Sequence, residues 1–132
     1  MATKEGNTVT LYGEPFEVIS VYTRAQAMED GCLVDVSEWA REAGFKYPVA
    51  VTAAVYALLE PSDHSRNIGQ SEKGRARDMF NMMHFAIKGK QGPADLIFFS
   101  VKFGKHVHRL KSLCHSGDEQ EPVITIMLPE ED

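Results

Sequence analysis

Apolar positions recur at two different periods in the second half of the chain, and each period predicts its own element. Over residues 75–88, Ala76, Met79, Phe80, Met83, Ala86 and Ile87 fall three and four residues apart, which places them on one stripe of an α-helix. Arg75, Asp78, Asn81 and Lys88 fall off that stripe. The period then becomes two. Ile97, Phe99, Val101 and Phe103 alternate with their neighbours, as in a strand with one face in a core. The tight Gly104-Lys105 step joins Leu96–Phe103 to a second strand, His106–Cys114, and Val123–Leu128 reads as a third. The methionine-rich helix is expected to cover the apolar strand face.

The first half is less regular. Val9–Tyr12 and Phe16–Ser20 read as short strands around Gly13-Glu14-Pro15, and residues 1–7 as a frayed end. Thr23-Arg24-Ala25-Gln26 is a capping box: the threonine oxygen accepts from the amide three residues on, and Gln26 reaches back to the Thr23 amide. The helix it opens should stop at Gly31, which tolerates the left-handed cap conformation. Glu29 and Asp30 then stand at the negative end of the helix dipole, a local conflict of the kind found at binding sites. After the extended stretch Leu33–Val36, Asp35 or Ser37 caps a helix through Trp39 and Ala40 that ends at Gly44. Pro48, with an extended Tyr47 before it, suits a first helical position. Val49–Leu59 is apolar on nearly every side, so periodicity does not separate helix from strand. Its alanines and leucines, and its length, favour helix. Pro61–Gly74 reads as a polar mobile loop. The expected fold is one α+β domain over residues 1–132, with helices packed on one face of an antiparallel β-sheet.

Composition narrows the class of molecule. A chain of 132 residues supports one core, and 43% hydrophobic with 25% charged residues excludes wholesale disorder. No apolar run approaches the roughly 18 residues of a membrane span, and the start leads into no apolar signal core. The expectation is a cytoplasmic protein without a membrane partner. Cys32 and Cys114 have no CxxC spacing, which suits free thiols in a reducing compartment. Charge is segregated along the sequence. Residues 1–63 carry 10 acidic and 4 basic side chains, 64–112 carry 3 and 10, and 113–132 carry 6 and none. The fold either interleaves these blocks or presents one acidic and one basic face suited to charged partners.

Candidate chemistry is sparse. His106 and His108 share a strand face, but Cys114 would lie about 20 Å beyond them on a straight strand, and a tetrahedral site needs three or four ligands. No metal site and no cofactor is expected. The chain has no P-loop, no GxSxG, no GxGxxG after a strand and no HExxH, and Asp35 with Glu38 or Glu29 with Asp30 read as helix-end residues. No catalytic residue is assigned. Arg66, Lys73, Arg75, Arg77, Lys88 and Lys90 offer phosphate contacts along residues 66–90, the basis for a DNA-binding regulator as an alternative function. Arg24 is placed to pair with Asp35 or Glu38, or to form with Tyr22 an aromatic-plus-guanidinium anchor for a partner. Glu130 and Glu131, in the acidic end Pro129–Asp132, are either solvated or dock on a basic groove of another protein. A small enzyme acting on a nucleotide or a host protein would need Tyr22, Arg24, Asp35 and Arg75 to converge on one pocket.

Three segments carry a family resemblance. Tyr22–Ala27 with Glu29-Asp30-Gly31, Leu33–Glu38, Glu42–Phe45 and Pro48–Thr52 form the first, Gly74-Arg75 with Asp78 the second, and Glu121–Asp132 the third. Together they resemble an uncharacterised family of small bacterial proteins carried by phages, plasmids and other mobile elements. Relatives tend to place Leu-Trp after the Gly-Arg pair, where this chain has Ala76-Arg77. The resemblance implies a context in which small accessory proteins disarm host defences by binding a component. The expected function is therefore a non-catalytic, anti-CRISPR-like inhibitor of a bacterial defence protein or ribonucleoprotein complex. A homodimer is also expected to suit so small a core.

Overall fold

The capping box forms as the residues dictate. In this computed structural model, which describes residues 8–11, 14–17, 22–67, 69–90 and 95–131, Thr23 Oγ1 accepts from the Gln26 amide at 3.0 Å and Gln26 Oε1 accepts from the Thr23 amide at 2.9 Å. Before it lie strands β1 (Thr8–Leu11) and β2 (Glu14–Glu17), a separate antiparallel pair. Glu14 and Pro15 belong to β2 itself, while the expected fraying of residues 1–7 falls outside the described residues. Helix α1 (Arg24–Glu29) follows the box, and the chain leaves it through Gly31 at φ +83°. Strand β3 (Leu33–Asp35) leads into α2 (Ser37–Glu42). The N-cap position is Val36 rather than the expected Asp35 or Ser37, and it makes no side-chain cap bond. Just before it, Asp35 Oδ1 accepts from the Ser37 amide at 3.0 Å and from the Ser37 hydroxyl at 2.6 Å.

Residues 49–59 correct the expected single helix. They divide into strand β4 (Val49–Thr52) and helix α3 (Ala53–Leu59), with Pro48 in front of a strand. The reason lies in burial. Val49, Ala50 and Val51 are all fully buried, because β4 is an inner strand covered on both faces. Such a strand shows no alternation and reads like a buried helix. Thr52 marks the switch, since its hydroxyl accepts from the Val55 amide and caps α3. The expected loop over 61–74 also carries structure. Ser62 Oγ accepts from the Ser65 amide at the start of α4 (Asp63–Asn67), and Ser71 Oγ accepts from the Gly74 amide to open α5 (Glu72–Gly89). Serines that signalled a loop are here helix caps.

Strands β5 (Leu96–Phe103), β6 (His106–Ser116) and β7 (Pro122–Met127) complete a five-stranded sheet in the order β3-β4-β7-β6-β5. Its pairs are antiparallel except β4 with β7, which run parallel, so the sheet is mixed and the class remains α+β. The first sheet face carries Val49, Val51, Ile124, Ile126, Leu110 and the β5 residues Ile97, Phe99, Val101 and Phe103. These pack on Ala40, Val55, Leu59, Ala76, Met79, Phe80 and Met83 from α2, α3 and α5. Burying one large side chain of this kind stabilises by about 1.5–3 kcal/mol. The second face carries Leu33, Ala50, Thr52, Thr125, Met127, Leu113 and His115, and α1 lies beside it. Among the described residues no helix is long and apolar enough to cross a membrane.

Candidate functional site

Alternation on β6 and β7 sends Leu113, His115, Thr125 and Met127 to the second face, where α1 and the start of α3 leave a cleft of about 680 Å³. Tyr22, Thr23, Arg24 and Ala27 form one wall, Thr52, Ala53 and Ala54 another, and Asp118 and Glu131 stand on the rim. Arg24 anchors the arrangement. Its Nη1 donates to Thr125 Oγ1 at 2.6 Å and its Nη2 to the Ile124 carbonyl at 2.8 Å, which ties α1 to β7. The Asp118 carboxylate accepts from the Arg24 and Ala25 amides at 2.7 and 2.9 Å. With the capping box, that satisfies the amides of the first three helical residues and brings a negative charge to the positive helix end. Half-burial draws the Arg24 pKa below its ordinary value, and the carboxylates of Asp118, Asp35 and Glu121 oppose that shift.

The floor is a hydrogen-bond chain. Thr125 Oγ1 lies 2.7 Å from His115 Nε2, and His115 Nδ1 lies 3.0 Å from the Ser116 carbonyl. A carbonyl only accepts, so Nδ1 carries a proton; in the neutral ring Nε2 then accepts from the Thr125 hydroxyl, which in turn accepts from Arg24. At the mouth, Tyr22 is 59% exposed, and its single hydroxyl proton is donated to Asp30 Oδ2 at 2.9 Å, with Cys32 Sγ within hydrogen-bond reach at 3.4 Å. Hydrogen bonding to Cys32 and then to Asp30 holds the phenol well above its ordinary pKa, so it stays neutral. The carboxylate that conflicted with the α1 dipole thus serves as the acceptor that orients Tyr22. Glu131 Oε1 accepts from Thr52 Oγ1 and from the Leu128 amide, both at 2.8 Å. Part of the acidic end is therefore folded back onto the cleft rim, while Glu130 remains exposed.

The structure brings Tyr22, Arg24 and Glu131 together and separates the other candidates. Arg24 pairs with neither Asp35 nor Glu38 by direct hydrogen bond; its partners are Thr125 and Ile124. Asp35 is occupied in accepting from the Ser37 amide and hydroxyl at the start of α2. Arg75, Arg77 and Asp78 sit on α5, which packs against the opposite face of the sheet, so one pocket joining Tyr22, Arg24, Asp35 and Arg75 does not form. Arg77 lies exposed in a groove with Trp39 and Asn81, and Asp78 is exposed nearby. The basic run is partly neutralised, since Arg66 pairs with Glu72 at 2.6 Å and Lys73 with Glu42 at 3.1 Å. Sequence reasoning did not find Thr52, His115, Asp118 or Thr125 as site residues. The alternation of β6 and β7 was the only signal for two of them.

A family model described as DUF6573, of unknown function, matches residues 10–132. The chain belongs to this family. The match takes in every cleft residue named above, so the cleft lies wholly within the DUF6573 region. No curated protein and no solved structure matches the chain.

Thiol chemistry gives a direct probe of this DUF6573 cleft. Cys32 is exposed at its mouth, whereas Cys114 is partly buried, and burial followed by the Asp95 carboxylate pushes its thiol up from the ordinary value. A maleimide or disulfide reagent near neutral pH is expected to label one thiol rapidly and the second slowly. Cys32→Ser should remove the fast phase. Two equal phases, or a fast phase that survives the substitution, would contradict the geometry.

Proposed function

We propose that the protein is a non-catalytic binding protein that inhibits a bacterial defence complex, in an anti-CRISPR-like role. It takes a cationic, nucleic-acid-facing segment of that complex against the Tyr22–Arg24 cleft. The observation that carries this reading is the charge and shape of the cleft: an open concavity with Tyr22 exposed at its mouth and the carboxylates of Asp30, Asp118, Glu121 and Glu131 about its rim. Defence complexes hold nucleic acid in basic channels through its phosphates. An acidic surface with an aromatic anchor competes for such a channel by charge complementarity. Arg24 organises the surface from within, and its own charge is outnumbered by the surrounding carboxylates. The mobile-element setting implied by the sequence resemblance gives the protein its reason to carry such a surface.

The experiment is capture of purified CRISPR–Cas and restriction complexes by the tagged protein at low and physiological salt, with and without the complex's own nucleic acid. Binding is expected to weaken with salt and to be displaced by the nucleic acid. Tyr22→Ala is expected to weaken it by about tenfold, since an exposed aromatic anchor is removed without touching the core. Capture of none of these complexes even at low salt would remove the proposal.

A further inference from the structure

A second concave surface lies on the other side of the molecule, bounded by the turn between β5 and β6, the start of α5 and the connection from α3 through α4. Its volume is about 510 Å³. Basic side chains converge on it from separate parts of the chain: His64 from α4, Arg75 from α5, Lys105 from the turn, and His106 and His108 from β6. Glu60 is the one carboxylate among the lining residues.

Arg75 is held in place by neutral partners. Its Nε and Nη2 donate to Gln70 Oε1 at 2.9 and 2.6 Å, and its Nη1 donates to the Leu58 carbonyl at 3.0 Å. Its guanidinium lies over the Phe103 ring at 5.3 Å. None of these groups cancels its charge, and the nearby carboxylates of Glu72 and Glu42 pair instead with Arg66 and Lys73. The His108 ring lies 5.7 Å from that of Phe103 and 6.4 Å from that of His106. Arg75 and Lys105 are permanent cations gathered in one concavity with three imidazoles beside them, and such a site raises the local concentration of anions. No group of three metal-ligating side chains exists among the described residues, so the histidines there do not form a metal cluster.

We infer that this pocket binds the phosphate group of a small molecule of mononucleotide size. The volume suits such a ligand. Phe103 is buried and offers no stacking platform for a nucleic-acid strand. The site is separate from the Tyr22–Arg24 cleft and does not depend on the function proposed for it. Burial, the neighbouring His106 and Arg75 hold the His108 imidazole below its ordinary range. A bound dianion offsets the two repulsions, so binding favours the protonated ring and affinity rises as pH falls through the histidine range. The groups facing the anion are His64, Arg75, Lys105, His106 and His108, with Glu60 opposing, and protonation of Glu60 at lower pH acts in the same direction.

The test is an NMR pH titration of the five histidines of the intact protein, alone and with inorganic phosphate. Sulfate, dianionic throughout, separates proton uptake by the protein from that by phosphate. The His64, His106 and His108 midpoints are expected to move up while His84 and His115, which lie elsewhere, stay in place. Lys105→Gln and His106→Gln, both at exposed positions, should each weaken phosphate binding by about threefold without loss of fold. A uniform movement of all five histidines, or none, would overturn the site. Adenosine monophosphate should bind at least as tightly as inorganic phosphate. If a 5′-phosphorylated oligonucleotide binds far more tightly, with a steep salt dependence, the small-molecule assignment fails and a nucleic-acid surface replaces it.

Discussion

Truncating Phe80 to alanine is expected to lower the unfolding free energy by about 3–5 kcal/mol. Phe80 is fully buried in the stripe that α5 presents to the sheet, and its ring meets that of Phe45 at 5.3 Å. Phe45 in turn stacks on His84 at 4.3 Å, whose Nε2 lies 2.8 Å from the Ala43 carbonyl at the end of α2. Loss of the Phe80 ring leaves a cavity at the junction of α2, α5 and the sheet, which rigid neighbours refill only in part. A domain of this size has roughly 5–15 kcal/mol of stability, so the variant would retain a fraction of it. Phe85 is the control. It lies on the same helix but is 70% exposed, and Phe85→Ala should change stability by less than about 0.5 kcal/mol. Chemical denaturation followed through the single tryptophan, Trp39, which packs against this core, reads both variants. Equal effects at the two positions would show that α5 does not present this stripe to the sheet.

The second large effect is expected at Arg24. Arg24→Met keeps the aliphatic stem and removes the guanidinium, leaving the largely buried Ile124 carbonyl and Thr125 hydroxyl without this donor. The Thr125 hydroxyl keeps His115 as a partner, so the cost falls mainly on the Ile124 carbonyl, and a loss of about 1–3 kcal/mol follows. The loss should be uneven. Amide exchange is expected to accelerate in α1, where Ala27 and Asp30 donate to Thr23 and Gln26, while the β5–β6 pair keeps its protection. With α1 released, Tyr22 and the carboxylate rim no longer hold one geometry, and partner affinity should fall further than in Tyr22→Ala. Arg24→Lys retains the charge but not the two-pronged donation, and should recover only part of either effect. Unchanged exchange in α1 would show that the guanidinium does not fasten the helix to β7.

Elements whose identity is set by near neighbours were legible in the sequence. The capping box at Thr23, the glycine at the end of α1, the alternation of β5 and the α5 stripe all rest on residues no more than a few positions apart. The charge blocks were legible too; carboxylates of the last block stand at the cleft rim, while part of the basic block is paired with Glu42 and Glu72. Residues 49–59 were misread because burial on both faces erases the period that separates strand from helix. The helices within 61–74 were hidden because Ser and Asn signal loops and caps alike.

The partners of Arg24 lay beyond sequence reasoning altogether. Asp118, Ile124 and Thr125 stand some hundred positions away, and nothing local distinguishes them from Asp35 or Glu38 as partners. The sequence by itself determined the buried faces of α5 and β5, the α+β class and the blocks of charge, because periodicity, capping and composition act over a turn or two of chain. The tertiary structure alone decided the parallel pairing of β4 with β7, the folding back of Glu131 onto Thr52 and the division of the candidate residues between two faces of the sheet. Those features depend on which distant segments pack together, and a hydrogen bond between remote residues leaves no periodic trace in the sequence that makes it.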